Sequence, residues 1–179
     1  MKLIILDRDG VINEDSESFV KALDEWIPIP GSIEAIARLS QAGYIVAIAT
    51  NQSGLARGLL TLDDLNAMHG RLHARLSELG GHVEGIFFCP HGPEARCACR
   101  KPKPGLLAAI QDRLGIAPAD SLVVGDSLRD MEAAWSIGSA AALVETGKGA
   151  VTLAAHADRL GSTPIYRDLA ALADSLLTA

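Results

Sequence analysis

Four stretches of this 179-residue chain carry oxygen and nitrogen groups at spacings that suit phosphate chemistry. Asp7-Arg8-Asp9-Gly10 sets two carboxylates two residues apart, beside a glycine that makes a turn easy. Thr50-Asn51-Gln52-Ser53 offers a hydroxyl followed by amides, and Lys101 stands in a basic run with Arg100 and Lys103. Gly125-Asp126-Ser127-Leu128-Arg129-Asp130 supplies further carboxylates. Converging carboxylates repel one another unless a cation binds, and hard oxygen ligands with positions open to water and phosphate suit Mg²⁺. A carboxylate can then attack phosphorus once the ester is polarised and its charge neutralised. A second acid must protonate the leaving alkoxide and later deprotonate the hydrolytic water. Asp7 is the expected nucleophile and Asp9 the expected acid/base. Thr50 is expected to donate to a phosphoryl oxygen, and Lys101 to supply fixed positive charge where the transition state spreads negative charge.

Each motif alone has a plainer reading. DxDG is commonly a turn or a fragment of a Ca²⁺ loop, GDxxxD a helix start, a threonine after a strand a cap, and a single lysine a solvated charge. Their joint placement decides, and that depends on the elements that carry them. Residues 2–6, 44–49, 85–88 and 121–124, and more weakly 140–144, are continuous apolar runs. Such runs are expected of strands covered on both faces. Helical patterns occupy 32–41, 61–79, 105–114, 128–137 and 167–177, the second opening on a Thr61-x-x-Asp64 capping signal. Alternating β and α predicts an α/β fold: a Rossmann-like, doubly wound parallel sheet in three layers with right-handed crossovers. Ligands in such sheets bind beyond the carboxyl ends of the strands. All four motifs fall at those ends or in the loops that follow.

Cys89, His91, Cys97 and Cys99 form a second constellation, CxH…CxC within eleven residues. Three thiolates and an imidazole complete a tetrahedral Zn²⁺ set with no open position, the mark of a structural ion. The alternative is a chance cluster of buried or reactive cysteines. The loop leads directly into Arg100 and Lys101, so zinc is expected to order it and aim both cations at the phosphate pocket. His69 and His73, four apart on a predicted helix, have a spacing that can bind metal. They read more simply as a polar helix face.

Composition bounds the rest. The length suits one domain, residues 1–179, and the hydrophobic share of 49% suits a packed core. A net charge of −6 disfavours nucleic acid as a general partner. The four-residue apolar run before Asp7 is too short for a signal peptide or a membrane span. Three clustered cysteines do not make a disulfide framework. A cytoplasmic monomer, without nucleic-acid or membrane partners, is the expectation.

Asp7-x-Asp9-Gly10, Thr50, Lys101 and Gly125-Asp126-x-x-x-Asp130 resemble the four motifs of the haloacid dehalogenase-like phosphatases. The resemblance implies that Mg²⁺ is held by Asp7, the main-chain carbonyl of Asp9, and Asp126. It narrows further. Asp7 to Asn13, Thr50 to Gly58, the CxH…CxC loop and Cys99 to Gly105 look like the D-glycero-D-manno-heptose 1,7-bisphosphate 7-phosphatases, relatives of the histidinol-phosphatases. That likeness implies a sugar bisphosphate substrate in nucleotide-heptose synthesis for surface glycans. Asp15, Ser16, Glu17 and Ser18 would line the entrance, and Asn51, Gln52 and Ser53 would contact the sugar phosphate. Arg57 and Arg100 would favour a bisphosphate, Arg100 at the distal phosphate. No large cap domain is expected, because the stretches after Asp7 and Thr50 are short. Ser127 departs from the lysine of many relatives. The short span between His91 and Cys97 is nearer the histidinol-phosphatase length. Histidinol-phosphate hydrolysis, and a catalytically silent zinc-stabilised phosphate-binding module, are the competing readings.

Overall fold

The computed structural model describes residues 2–178. Six parallel strands make one sheet in the order β3-β2-β1-β4-β5-β6. They are β1 (Leu3–Leu6), β2 (Ile45–Asn51), β3 (Gly85–Cys89), β4 (Ser121–Gly125), β5 (Ala140–Val144) and β6 (Ile165–Tyr166). Their order reverses beside β1, where the crossovers leave in opposite directions. That switch point is where an open α/β sheet offers a crevice.

Side chains alternate across the pleat, and each half of the alternation meets its own helix layer. Ile4, Leu6, Val46, Ile48, Leu122 and Val124 face α1 (Ser32–Gln41), α2 (Leu62–Glu78) and α6 (Leu169–Thr178). Leu3, Ile5, Ala47, Ala49, Val123 and Leu143 face α3 (Gly105–Leu114), α4 (Leu128–Ser136) and α5 (Gly149–Leu160). The three-layer α/β fold is therefore as the apolar runs predict. α2 starts where the capping signal places it: the Thr61 hydroxyl accepts from the Asp64 N–H, and the Asp64 carboxylate accepts from the Thr61 N–H. Helix α5 and strand β6 lie beyond the sequence expectation. No helix among the described residues is long and apolar enough to cross a membrane.

Residues 7–31, between β1 and α1, contain no regular element, yet they are anchored. Val11, Ile12, Val20 and Trp26 enter the core from this segment. The Trp26 indole N–H also donates to Asn13 Oδ1 at 3.0 Å. This anchoring gives the residues after Asp7 a fixed course across the sheet's carboxyl edge.

Candidate active site

Asp7 continues the β1 ladder by one residue: its N–H donates to the Val124 carbonyl at 2.9 Å. Its side chain therefore leaves the sheet at the carboxyl edge, beside Asp126, which follows β4. The carboxylates of Asp7, Asp126 and Asp130 lie within 4.8 Å of one another, and all three residues are buried. One ammonium serves two of them. Lys101 Nζ lies 3.0 Å from Asp7 Oδ2 and 2.6 Å from Asp130 Oδ1, and it donates to the Ala49 carbonyl at 2.7 Å. Asp130 is also bound by the N–H and hydroxyl of Ser127.

The charge balance follows from these distances. Burial works against the Asp130 carboxylate, but Lys101, Arg129 and the Ser127 hydroxyl outweigh it and hold its pKa below the usual range. Lys101 is likewise kept protonated by Asp130 and Asp7 against its burial. Asp7 is the weaker partner of the lysine, and burial with the neighbouring Asp130 and Asp126 pushes its pKa up. Burial and Asp130 raise Asp126 to about 6, and its Oδ1 is buried without a hydrogen-bond partner. Carboxylates that resist ionisation, with an unpartnered oxygen among them, are short of positive charge. The donor set is all hard oxygen, so the residues fit a divalent ion such as Mg²⁺.

Backbone packing leaves no room to relax this arrangement. A Cβ on Gly10, whose φ is +83°, would lie 2.1 Å from Asp126 Oδ2, and one on Gly147 would lie 2.3 Å from the same atom. The Thr146 hydroxyl donates to the Gly10 carbonyl at 2.7 Å, and the Lys148 N–H donates to Asp126 Oδ2 at 2.8 Å. The loop between β5 and α5 thus clasps the loop after β1 around Asp126.

Asp9 is not part of the carboxylate trio. Its side chain faces the same pocket as Asp7 and is gripped from behind. Arg8 Nε and Nη2 donate to Asp9 Oδ1 at 3.0 and 2.9 Å; Asn13 Nδ2 donates to the same oxygen at 2.9 Å. Gln52 Nε2 donates to Asp9 Oδ2 at 2.8 Å and to Thr50 Oγ1 at 2.9 Å. Thr50 thus accepts from Gln52 and keeps its hydroxyl hydrogen for a ligand. Asn51 clamps the Lys101 main chain: its Oδ1 accepts from the Lys101 N–H and its Nδ2 donates to the Lys101 carbonyl, both at 3.1 Å.

The pocket is lined by Asp7, Asp9, Asp15, Ser16, Glu17, Thr50, Asn51, Gln52, Ser53 and Arg100, all singled out in the sequence. Phe19, Val20, Arg129 and Lys148 also line it. Lys148 Nζ meets Asp15 Oδ2 at 2.6 Å across the mouth, and Arg129 Nε donates to Ser127 Oγ at 3.1 Å. Ser18 and Arg57 are not among the lining residues. Ser18 faces a neighbouring groove, and the Arg57 guanidinium lies over the Phe19 ring, 5.5 Å from its centroid. Asp130 sits in the trio although only its spacing from Asp126 had marked it.

The thiol loop closes into a cluster. Cys89 Sγ lies 3.7 Å from Cys97 Sγ, 3.3 Å from Cys99 Sγ and 3.6 Å from His91 Nδ1; Cys99 Sγ lies 3.4 Å from His91 Nδ1. A tetrahedron with Zn–S of about 2.3 Å and Zn–N of about 2.0–2.1 Å has edges of about 3.6–3.8 Å. The cluster fits that ion to within about half an ångström. Arg100 Nη1 donates to the His91 carbonyl at 3.2 Å, so the loop and the pocket share this side chain.

The HAD-hydrolase-like family profile matches residues 98–172. A relative from Bordetella bronchiseptica, a D-glycero-β-D-manno-heptose-1,7-bisphosphate 7-phosphatase, is 55% identical over 99% of this chain and 98% of its own. The enzyme of the same name from Pseudomonas aeruginosa is 55% identical over 98% of this chain and 97% of its own. The crystal structure of the D,D-heptose 1,7-bisphosphate phosphatase from B. bronchiseptica, complexed with magnesium and phosphate, superposes with a TM-score of 0.94. It is 54% identical and covers 99% of both chains.

Proposed function

Because the chain belongs to the D-glycero-β-D-manno-heptose-1,7-bisphosphate 7-phosphatase family of haloacid dehalogenase-like hydrolases, we propose that it removes the C7 phosphate of that sugar bisphosphate. The observation that carries the reading is Asp7, held at the end of β1 in one pocket with Asp9, its Oδ2 3.0 Å from the Lys101 ammonium. Asp7, Asp126 and the main-chain carbonyl of Asp9 would hold Mg²⁺, which when bound neutralises and orients the phosphoryl group.

Asp7 attacks phosphorus with a carboxylate oxygen while the bond to the C7 oxygen breaks. Asp9 gives its proton to the departing alkoxide. An aspartyl phosphate is left on Asp7. Asp9 then takes a proton from water, whose oxygen attacks phosphorus and frees Asp7 and inorganic phosphate. Lys101 matches the charge spread over the phosphoryl oxygens, and Thr50 donates its free hydroxyl hydrogen to one of them. Arg100, Arg129 and Lys148 form a cationic wall for the second phosphate.

Zn²⁺ in the thiol loop is structural in this reading, because all four ligand positions are taken by protein atoms. The acidic net charge and three thiols grouped for a metal support a cytoplasmic enzyme that acts on a small molecule. Asp15 and Glu17 at the mouth would suit the ammonium of histidinol phosphate, the competing substrate, but Asp15 is engaged by Lys148. Phosphate release from the β-heptose bisphosphate and from histidinol phosphate, compared by kcat/KM, tests the proposal. The expected product is heptose 1-phosphate. A preference for histidinol phosphate transfers the assignment, and release from neither supports the silent module.

A further inference from the structure

Helix α2 turns Leu65, Met68, Leu72 and Leu76 toward the sheet, and His69 shares that buried stripe. His73, one turn on, is exposed, so the two histidines neither pair as metal ligands nor form one polar face. His69 is 9% exposed and its ring is tilted 53° to that of Phe88, with centroids 6.5 Å apart. Its Nε2 is buried and has no hydrogen-bond partner. Such atoms are rare in folded proteins and ask for a counterpart.

One stands nearby. Arg8 is wholly buried, and its Nε and Nη2 are spent on Asp9, but its Nη1 is also without a partner. Guanidinium offers only donors, and a neutral imidazole protonated on Nδ1 offers a lone pair on Nε2. Among the charges that act on the His69 ring, Arg8 weighs most. Burial, aided by Arg8, pulls the ring's pKa down to about 4, so the lone pair is available at neutral pH.

We infer that His69 is a positioning residue for Asp9: its Nε2 takes the remaining N–H of Arg8 through one buried water, and so fixes the guanidinium that grips the acid/base. The inference rests on the proposed role of Asp9. Through His69 the inner face of α2 would belong to the catalytic support as well as to the core.

Two His69 variants, an Asp9→Asn background and one spectrum test it in the metal-loaded protein. His69→Leu keeps bulk but removes the acceptor; His69→Gln restores an acceptor on a similar stem. His69→Leu should lower kcat by about tenfold to a hundredfold, since a slightly misplaced catalytic group costs that much, with KM nearly unchanged. His69→Gln should recover most of kcat, and Tm should not track the kcat pattern. In an Asp9→Asn background His69→Leu should add no further loss, because the two act as a unit. Equal losses in the two variants, or a wild-type kcat in His69→Leu, overturn the inference. So does a ¹⁵N resonance of wild-type His69 Nε2 typical of a free, unbonded acceptor, whether or not the variants fold. An Asp9→Asn enzyme that keeps full turnover defeats the role of Asp9 itself, a different outcome from a silent His69→Leu beside a dead Asp9→Asn.

Discussion

The two metal-suited regions of this molecule are built in opposite ways. The carboxylate trio is placed by regular elements: Asp7 after β1 and Asp126 after β4 stand on main-chain ladders that the whole sheet maintains, and Asp130 stands in the first turn of α4. The thiol cluster has one anchor, the buried Cys89 that ends β3, and its other three ligands lie in the loop that follows. The fold prepares the first site whether or not a cation is bound, and an ion there supplies chemistry. In the second site the ion itself supplies the organisation that a core cannot, because bound zinc contributes folding energy where packing is absent. Ligand loss should therefore cost function without structure in one region, and local structure first in the other.

The sharpest challenge to this contrast is Asp7→Asn. Removing the proposed nucleophile should lower phosphate release by about 10⁴-fold or more. The far-ultraviolet spectrum should remain native. A variant that unfolds instead would show that the trio is structural. Next in size is Lys101→Met, which leaves Asp130 and Asp7 buried without their cation. Turnover should fall by about 10²–10³-fold. Urea unfolding should report a loss of about 3–5 kcal/mol, the usual cost of stranding one member of a buried ion pair.

Gly10→Ala examines the tightness of the strand-end site, because its Cβ would collide with Asp126 Oδ2 at a φ of +83°. We expect about a hundredfold loss of turnover. Isothermal titration should show weakened Mg²⁺ binding, with the thiol loop undisturbed. The smallest effect belongs to Cys97→Ser. Zinc content should fall, proteolysis within residues 90–100 should accelerate, and kcat should drop by about tenfold as Arg100 and Lys101 lose their fixed approach. Full activity in a zinc-free Cys97→Ser protein would break the link between loop and pocket.

Much of this was legible because buried parallel strands read as continuous apolar runs, and the chemistry falls directly after them. Asp7, Thr50 and Asp126 could be located by that rule alone. The thiol cluster was legible for a different reason: four ligands in eleven residues need no long-range geometry. What escaped shows the limits of local pattern. Strand β6 is two residues long, too short to carry a period. Helix α5 opens on Gly149 after a Lys148 that makes no side-chain cap, so no start signal precedes it. Arg129 and Lys148 reach the pocket from the starts of helices on separate crossovers, which spacing does not reveal. His69 reads as part of a polar face because its type is polar, but its phase on α2 aligns it with Leu65 and Leu72. Arg57 reads as a charge that favours a bisphosphate, and spacing gives no sign that its guanidinium lies over the ring of Phe19.

The place of β1 in the sheet has a consequence for biosynthesis. Its neighbours are β2, which follows it closely, and β4, which begins only at residue 121. Translation at about 5–20 residues per second leaves an interval of several seconds in which one edge of the central strand is bare. Throughout that interval Asp7 has been made but Asp126 has not. A growing chain thus cannot bring the carboxylates together, and hydrolytic competence should arrive abruptly, with the emergence of β4 and the clasp that follows β5.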